Sequence, residues 1–90
     1  MRDSSPVTVR LLYLARLREA FASAGESIVL QGSPTVTSLV DALRARGGAF
    51  ADELSGRRMI RVAINHAIAN ADDVIRDGDE VALLPPVTGG

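Results

Sequence analysis

Thr35-Val36-Thr37-Ser38-Leu39-Val40-Asp41-Ala42-Leu43-Arg44 is the stretch whose reading decides the fold. Val36, Leu39, Val40 and Leu43 recur at i, i+3, i+4 and i+7, which is one face of an α-helix. Thr35 stands where an N-cap belongs, with a hydroxyl that accepts from a free amide of the first turn. Ser33, just before Pro34, is the other capping candidate. Arg44 and Arg46 fall where the helix dipole favours cations, and Gly47-Gly48 ends the run. An apolar stripe of this kind needs a surface to lie on, and the remaining chain reads as short strands.

Upstream, Val7–Tyr13 alternates: Val7, Val9, Leu11 and Tyr13 share one face, and Thr8 and Arg10 the other. Leu12 and Leu14 break the polar face, either under a later element or left for a partner. From Ala15 the period changes, with Leu17, Ala20, Phe21 and Ala24 at helical spacing and Gly25 as the expected C′ residue. Glu26–Leu30 is a second strand, antiparallel to the first, with Ile28 and Leu30 inward. Downstream of the long helix, Ala49–Gly56 reads as a helical turn anchored by Phe50 and Leu54. Met59–Ile64 is a third strand with Ile60, Val62 and Ile64 on one face. Asn65-His66 is a turn, since asparagine tolerates positive φ, and Ala67–Ala69 a brief strand. Asp72–Ile75 covers one end of the core, and Asp77-Gly78-Asp79 turns into the last strand, Glu80–Leu84. Val81 and Leu83 point inward there, and Ala82 and Leu84 share the other face.

Strands outnumber helices, and one main helix covers one face of one sheet. The fold class is therefore α+β, a roll with the helix packed across a mixed sheet. Three segments follow: a disordered N-terminus over 1–6, a domain over 7–84, and an extended C-terminal tail over 85–90.

Ninety residues with 47% hydrophobic content make one small domain with a single core. No apolar run approaches the roughly 18–20 residues of a membrane span, and Leu11–Ala15 is too short for a secretory signal, so a cytoplasmic protein with no membrane partner is expected. A formal charge of −1 argues against nucleic acid as a partner. Cysteine is absent, which removes disulfides, thiolate metal sites and a cysteine nucleophile. All ten basic residues are arginine, a composition that codon bias accounts for; either way the chain has no side-chain amine for a Schiff base or an isopeptide link to its own copies.

A catalytic or metal constellation does not assemble from these residues. His66 is the only histidine and reads as a solvated turn residue. Asp72, Asp73, Asp77, Asp79 and Glu80 are the one dense charge cluster, relieved only by Arg76. They lack the calcium-loop pattern and read as a solvated turn region, or alternatively as an acidic docking patch for a basic partner surface. Gly47-Gly48 lacks the pattern of a phosphate loop.

The chemistry points instead to the last residues, Pro85-Pro86-Val87-Thr88-Gly89-Gly90. They follow directly on a strand. The two prolines remove two amide donors, fix two φ angles and stiffen the exit. Pro86–Gly90 spans at most roughly 16–18 Å when extended, enough to thread into another protein's active site. Glycine presents a carboxylate with no Cβ to obstruct an approaching group. Gly90 is thus the candidate activated terminus and Gly89 the clearance beside it. Leu84, Pro85, Pro86, Val87 and Thr88 are candidate tail and partner contacts. Leu12, Tyr13, Leu14 and Leu84 are candidates for exposed apolar contact, with the core as the competing place for at least half of them.

The segment Asp77–Gly90, DGDEVALLPPVTGG, resembles the C-terminus of the small subunit of molybdopterin synthase, a family of ubiquitin-like sulfur carriers. Ala15-Arg16-Leu17-Arg18-Glu19 is similar to that family's alanine followed by an Arg-Glu pair. Pro34-Thr35-Val36 with Leu39 is similar to its entry into the long helix, and Val62-Ala63-Ile64-Asn65 to its third strand. Leu83 and Leu84 depart from it, standing where the family often carries aromatics. The resemblance implies a β-grasp fold and a carrier rather than an enzyme. An adenylating, E1-like partner would use ATP and magnesium to activate the Gly90 carboxylate. A sulfur donor system would convert it to a thiocarboxylate, and the large subunit, which holds the catalytic residues, would take the sulfur for the molybdopterin dithiolene. No cofactor is expected on this chain itself. Carriers for thiamine, cysteine or tRNA thiolation, and ubiquitin-like protein modifiers, share the Gly-Gly ending and are the alternatives.

Overall fold

A computed structural model describes residues 6–55 and 60–85. The elements run β1 (Val7–Tyr13), α1 (Arg16–Ala20), β2 (Gly25–Leu30), α2 (Val36–Arg44), α3 (Gly48–Glu53), β3 (Arg61–Ile64), β4 (Ala67–Ile68) and β5 (Glu80–Leu84). The strands form one mixed sheet in the order β2-β1-β5-β3-β4. The central pair, β1 and β5, is parallel, and all other neighbours are antiparallel. With α2 across one face, this is the ubiquitin-like β-grasp roll.

The periodicities account for the core. Val9, Leu11 and Tyr13 of β1 and Val81 and Leu83 of β5 are fully buried on the helix side. They meet Leu39 and Leu43 of α2, with Leu17, Leu54 and Ile75 closing the ends. Burying side chains of this size stabilises by about 1.5–3 kcal/mol each, so these few positions dominate the stability of the fold. At the start of α2, Thr35 accepts from the Ser38 amide at 3.2 Å and the Ser38 hydroxyl accepts from the Thr35 amide at 2.8 Å, a reciprocal capping box. Thr35, rather than Ser33, is the cap.

The loops are tied by short polar bonds. Asn65 and His66 both hold positive φ, 50° and 75°, the geometry of a two-residue hairpin between β3 and β4. The Asn65 side chain donates to Asp79 at 2.9 Å and accepts from the Glu80 amide at 3.0 Å, so this turn also fixes the start of β5. Asp77 accepts from the Thr8 amide at 2.7 Å, Asp79 from the Arg76 amide at 2.8 Å and Asp73 from the Asn70 amide at 2.9 Å. Three of the five acidic residues therefore accept backbone amides: Asp73 and Asp79 cap turns, and Asp77 ties its segment to β1. Among the described residues, no three acidic or histidine side chains come together as metal ligands.

Three expectations need correction. Gly25 does not cap α1; it opens β2. A Cβ at Gly25 would lie 2.1 Å from the Leu11 carbonyl oxygen, so glycine is required for the close approach of two strands. Ala22, at φ 53°, takes the left-handed position after α1 instead. The Ser23 amide donates to the Arg18 carbonyl and the Ala22 amide to the Glu19 carbonyl, both at 3.1 Å, which is a Schellman closure with alanine where glycine is usual. Ala24, placed in the helical run by spacing, lies beyond it and accepts from the Tyr13 amide at 2.9 Å. The third strand starts at Arg61, with Ile60 packed against the core ahead of it and Met59 outside the described residues.

Candidate functional site

The described part of the candidate site is the root of the tail. β5 lies between β1 and β3, so the strand leading to the C-terminus is held on both edges. Its Val81 and Leu83 are anchored in the core, and the Leu83 carbonyl accepts from the Leu14 amide at 3.1 Å, one residue beyond the end of β1. Leu84 stands opposite Arg61 and is half-buried, as is Pro85. Pro86, Val87, Thr88, Gly89 and Gly90 lie outside the described residues.

The face of the sheet turned away from α2 carries a row of apolar residues beside this root. Cross-strand pairing aligns Leu12 with Ala82, Ala82 with Ala63, and Ala63 with Ile68. Leu84 continues the same face one step along β5. Ile68 is 62% exposed and Leu14, at the corner, 38%. Ala63 is buried, and Leu12, Ala82 and Leu84 are half-buried. The exposed apolar surface here therefore lies at Ile68 and Leu14, and such a surface beside a rigid strand end suits a protein partner. Arg10 and Arg61 border the row and are exposed.

Of the four residues nominated for apolar contact, the structure brings Leu12, Leu14 and Leu84 to this surface. Tyr13 is not among them. It is fully buried, and its hydroxyl donates to Glu26 Oε2 at 2.5 Å. Arg46 clasps both oxygens of the same carboxylate, at 2.8 and 3.1 Å, and lies 4.9 Å over the Phe50 ring. Burial, then the bond to Glu26, push the Tyr13 hydroxyl well above the usual tyrosine pKa. The bonds from Arg46 and Tyr13 hold Glu26 below the usual carboxylate range. This group fastens β2 to the corner between α2 and α3 and keeps a buried hydroxyl satisfied. Ala63, Ala82 and Ile68 were not nominated from the sequence as contacts. The signal was the second face of the two-residue alternation, but only the strand order brings these positions together.

His66 sits in its hairpin with an 87% exposed side chain, 3.6 Å from Glu80. No described residue therefore places it beside a nucleophile. What the site presents is a rigid strand end and an apolar face next to it.

Comparison with known proteins gives this arrangement a context. The ThiS family matches residues 11–90, a span that includes both terminal glycines. The molybdopterin synthase sulfur carrier subunit of Mycobacterium tuberculosis is 34% identical over 85 residues, which cover 93% of this chain and 99% of the relative. Among solved structures, a putative molybdopterin converting factor subunit 1 from Pyrococcus furiosus superposes with a TM-score of 0.77 at 29% identity, covering 90% of this chain and 99% of the other. A small archaeal modifier protein from H. volcanii superposes with a TM-score of 0.67 at 28% identity, covering 90% and 99%. The chain belongs to the ThiS family, alongside the molybdopterin synthase sulfur carrier subunits.

Proposed function

We propose that this chain is the sulfur carrier of a molybdopterin synthase and that Gly90 is the atom-bearing end of the cycle. The observation that carries the reading is the continuity of the C-terminal stretch with the central strand β5, within a family match that runs to Gly90. β5 is held on both edges up to Leu84, and the prolines at 85 and 86 fix two φ angles where the tail begins. The free carboxylate is a poor electrophile. Adenylation by an E1-like partner, with ATP and magnesium on that partner, supplies a leaving group, and the sulfur donor then leaves a thiocarboxylate. A thiocarboxylate is a sulfur nucleophile that needs no cysteine on the carrier. The charged carrier docks through the face of Leu12, Ala82, Ile68 and Leu84 on the large subunit, which supplies the catalytic residues for dithiolene formation. The carrier itself performs no catalysis and acts in the cytoplasm.

A second reading is a ubiquitin-like modifier, favoured by the likeness to the archaeal modifier protein. One measurement separates the two. The purified chain is incubated with the adenylating partner, ATP, magnesium and a sulfur source, and its intact mass is recorded. The carrier reading expects a gain equal to the difference between sulfur and oxygen, localised to Gly90. A variant extended by one residue after Gly90 should stay unloaded while keeping its fold. An unchanged mass with a partner that is active on its own carrier overturns the reading, and attachment of Gly90 to target lysines establishes the modifier.

A further inference from the structure

All ten basic residues of the chain are arginine. The structure divides those it describes into two groups. Arg44 donates through Nε to the Leu54 carbonyl at 2.8 Å and through a terminal nitrogen to Asp41 at 3.0 Å. Arg46 forks onto both Glu26 oxygens, and Arg16 pairs with Glu53 at 3.2 Å. Arg44 and Arg46 use the planar guanidinium in a way a lysine does not reproduce. Arg10, Arg18, Arg61 and Arg76 are different. Each is exposed, and none has a side-chain hydrogen bond or ion pair among the described residues. Packing and hydrogen bonding do not select arginine at these four positions, and a lysine would satisfy solubility equally well.

The chemistry of the terminus does select against lysine, given the carrier reading on which this step rests. An acyl-adenylate is an electrophile open to any neutral amine. A lysine amine would attack the Gly90 carbonyl carbon and form a C–N bond. The C–O bond to the phosphate would break, AMP would leave with the electron pair, and the ammonium proton would pass to solvent. The product is an isopeptide that can no longer carry sulfur. Arginine stays protonated and is not a nucleophile under the same conditions. Arg61 is registered opposite Leu84, the last residue of β5, and is the described arginine paired nearest to the start of the tail in the sheet. We propose that the lysine-free surface preserves the activated terminus, leaving no side-chain amine on this chain or on neighbouring copies to consume it.

Arg61→Lys and Arg76→Lys test this at positions near the tail root and at the opposite end of β5. Neither side chain makes a hydrogen bond or ion pair among the described residues, so both variants should fold as the parent does. Each is incubated with the adenylating partner, ATP and magnesium at mildly alkaline pH, without a sulfur source, and followed by intact mass and denaturing gel. The parent should accumulate the acyl-adenylate or return to free carboxylate. Both variants should gain species joined through the new lysine, either one water lighter than the chain or covalent dimers. Adding the sulfur source should then give less thiocarboxylate from the variants than from the parent. Variants that load as fully as the parent and form no isopeptide overturn the proposal, as does self-conjugation of the parent. If AMP transfer to the parent is never seen with an active partner, it is the carrier reading that fails.

Discussion

The two helices that follow strands in this chain, α1 and α2, are made in opposite ways. α2 is written locally. Its nine residues carry a capping box at Thr35 and Ser38, an apolar stripe and a terminal Arg44. α1 has five residues, no side-chain cap bond, and an entry through Ala15 at φ 52° and ψ −129°, a region that L-residues rarely occupy. Five residues do not form a helix alone. Contacts hold this one: Leu17 is fully buried, Phe21 meets Tyr13 edge-on at 4.9 Å and stacks on Phe50 at 4.1 Å, and Arg16 reaches Glu53. Local sequence thus specifies one helix, and the finished fold imposes the other beside the root of the tail.

The largest effects should come from removing the core anchor of each. Leu39→Ala and Leu17→Ala should each cost about 2–5 kcal/mol in denaturant unfolding, because both side chains are fully buried. Their local consequences should differ. Amide exchange in α2 should slow and quicken with global stability only, whereas Leu17→Ala should abolish protection across Arg16–Ala20 while β1 and β5 stay protected. Retained α1 protection in Leu17→Ala would break the contrast. A smaller effect tests the local side. Thr35→Ala removes the acceptor of the Ser38 amide and should cost about 1 kcal/mol, with the loss of protection confined to the first turn of α2.

The same contrast explains what was legible in the sequence. β1, α2 and β5 follow from two-residue and helical periods within one segment, and the alternation of β5 puts Leu84 on the same face as Ala82. Gly25 was misread because a glycine after a helical run looks like a cap. Its true constraint is the Leu11 carbonyl oxygen on the neighbouring strand, which no local pattern encodes. Tyr13 was ambiguous for a related reason. Its place in the alternation points inward, but a buried hydroxyl is acceptable only because Glu26 on β2 receives it. Ala63 and Ile68 joined the apolar face only through the order β5-β3-β4, which is set by pairing across distant segments.

The smallest effect is the most discriminating, because its sign reverses between the two helix ends. Ala22 closes α1 at φ 53°, where the alanine Cβ crowds the backbone at a cost of about 1–2 kcal/mol. Ala45, the C-cap of α2, sits at φ −65° in the ordinary helical region. Glycine at either place gives the unfolded chain more freedom, which costs about 0.5–1 kcal/mol. At Ala45 nothing offsets that cost, so Ala45→Gly should lower stability by about that amount. At Ala22 the relief of the left-handed strain exceeds it, so Ala22→Gly should raise stability by roughly 0.5–1 kcal/mol. Paired urea titrations decide the matter with one preparation of each variant. Midpoint shifts of opposite sign would mean that α1 tolerates a poor local sequence because its contacts hold it in place. Shifts of the same sign would mean that Ala22 is unstrained and that α1 is locally specified after all.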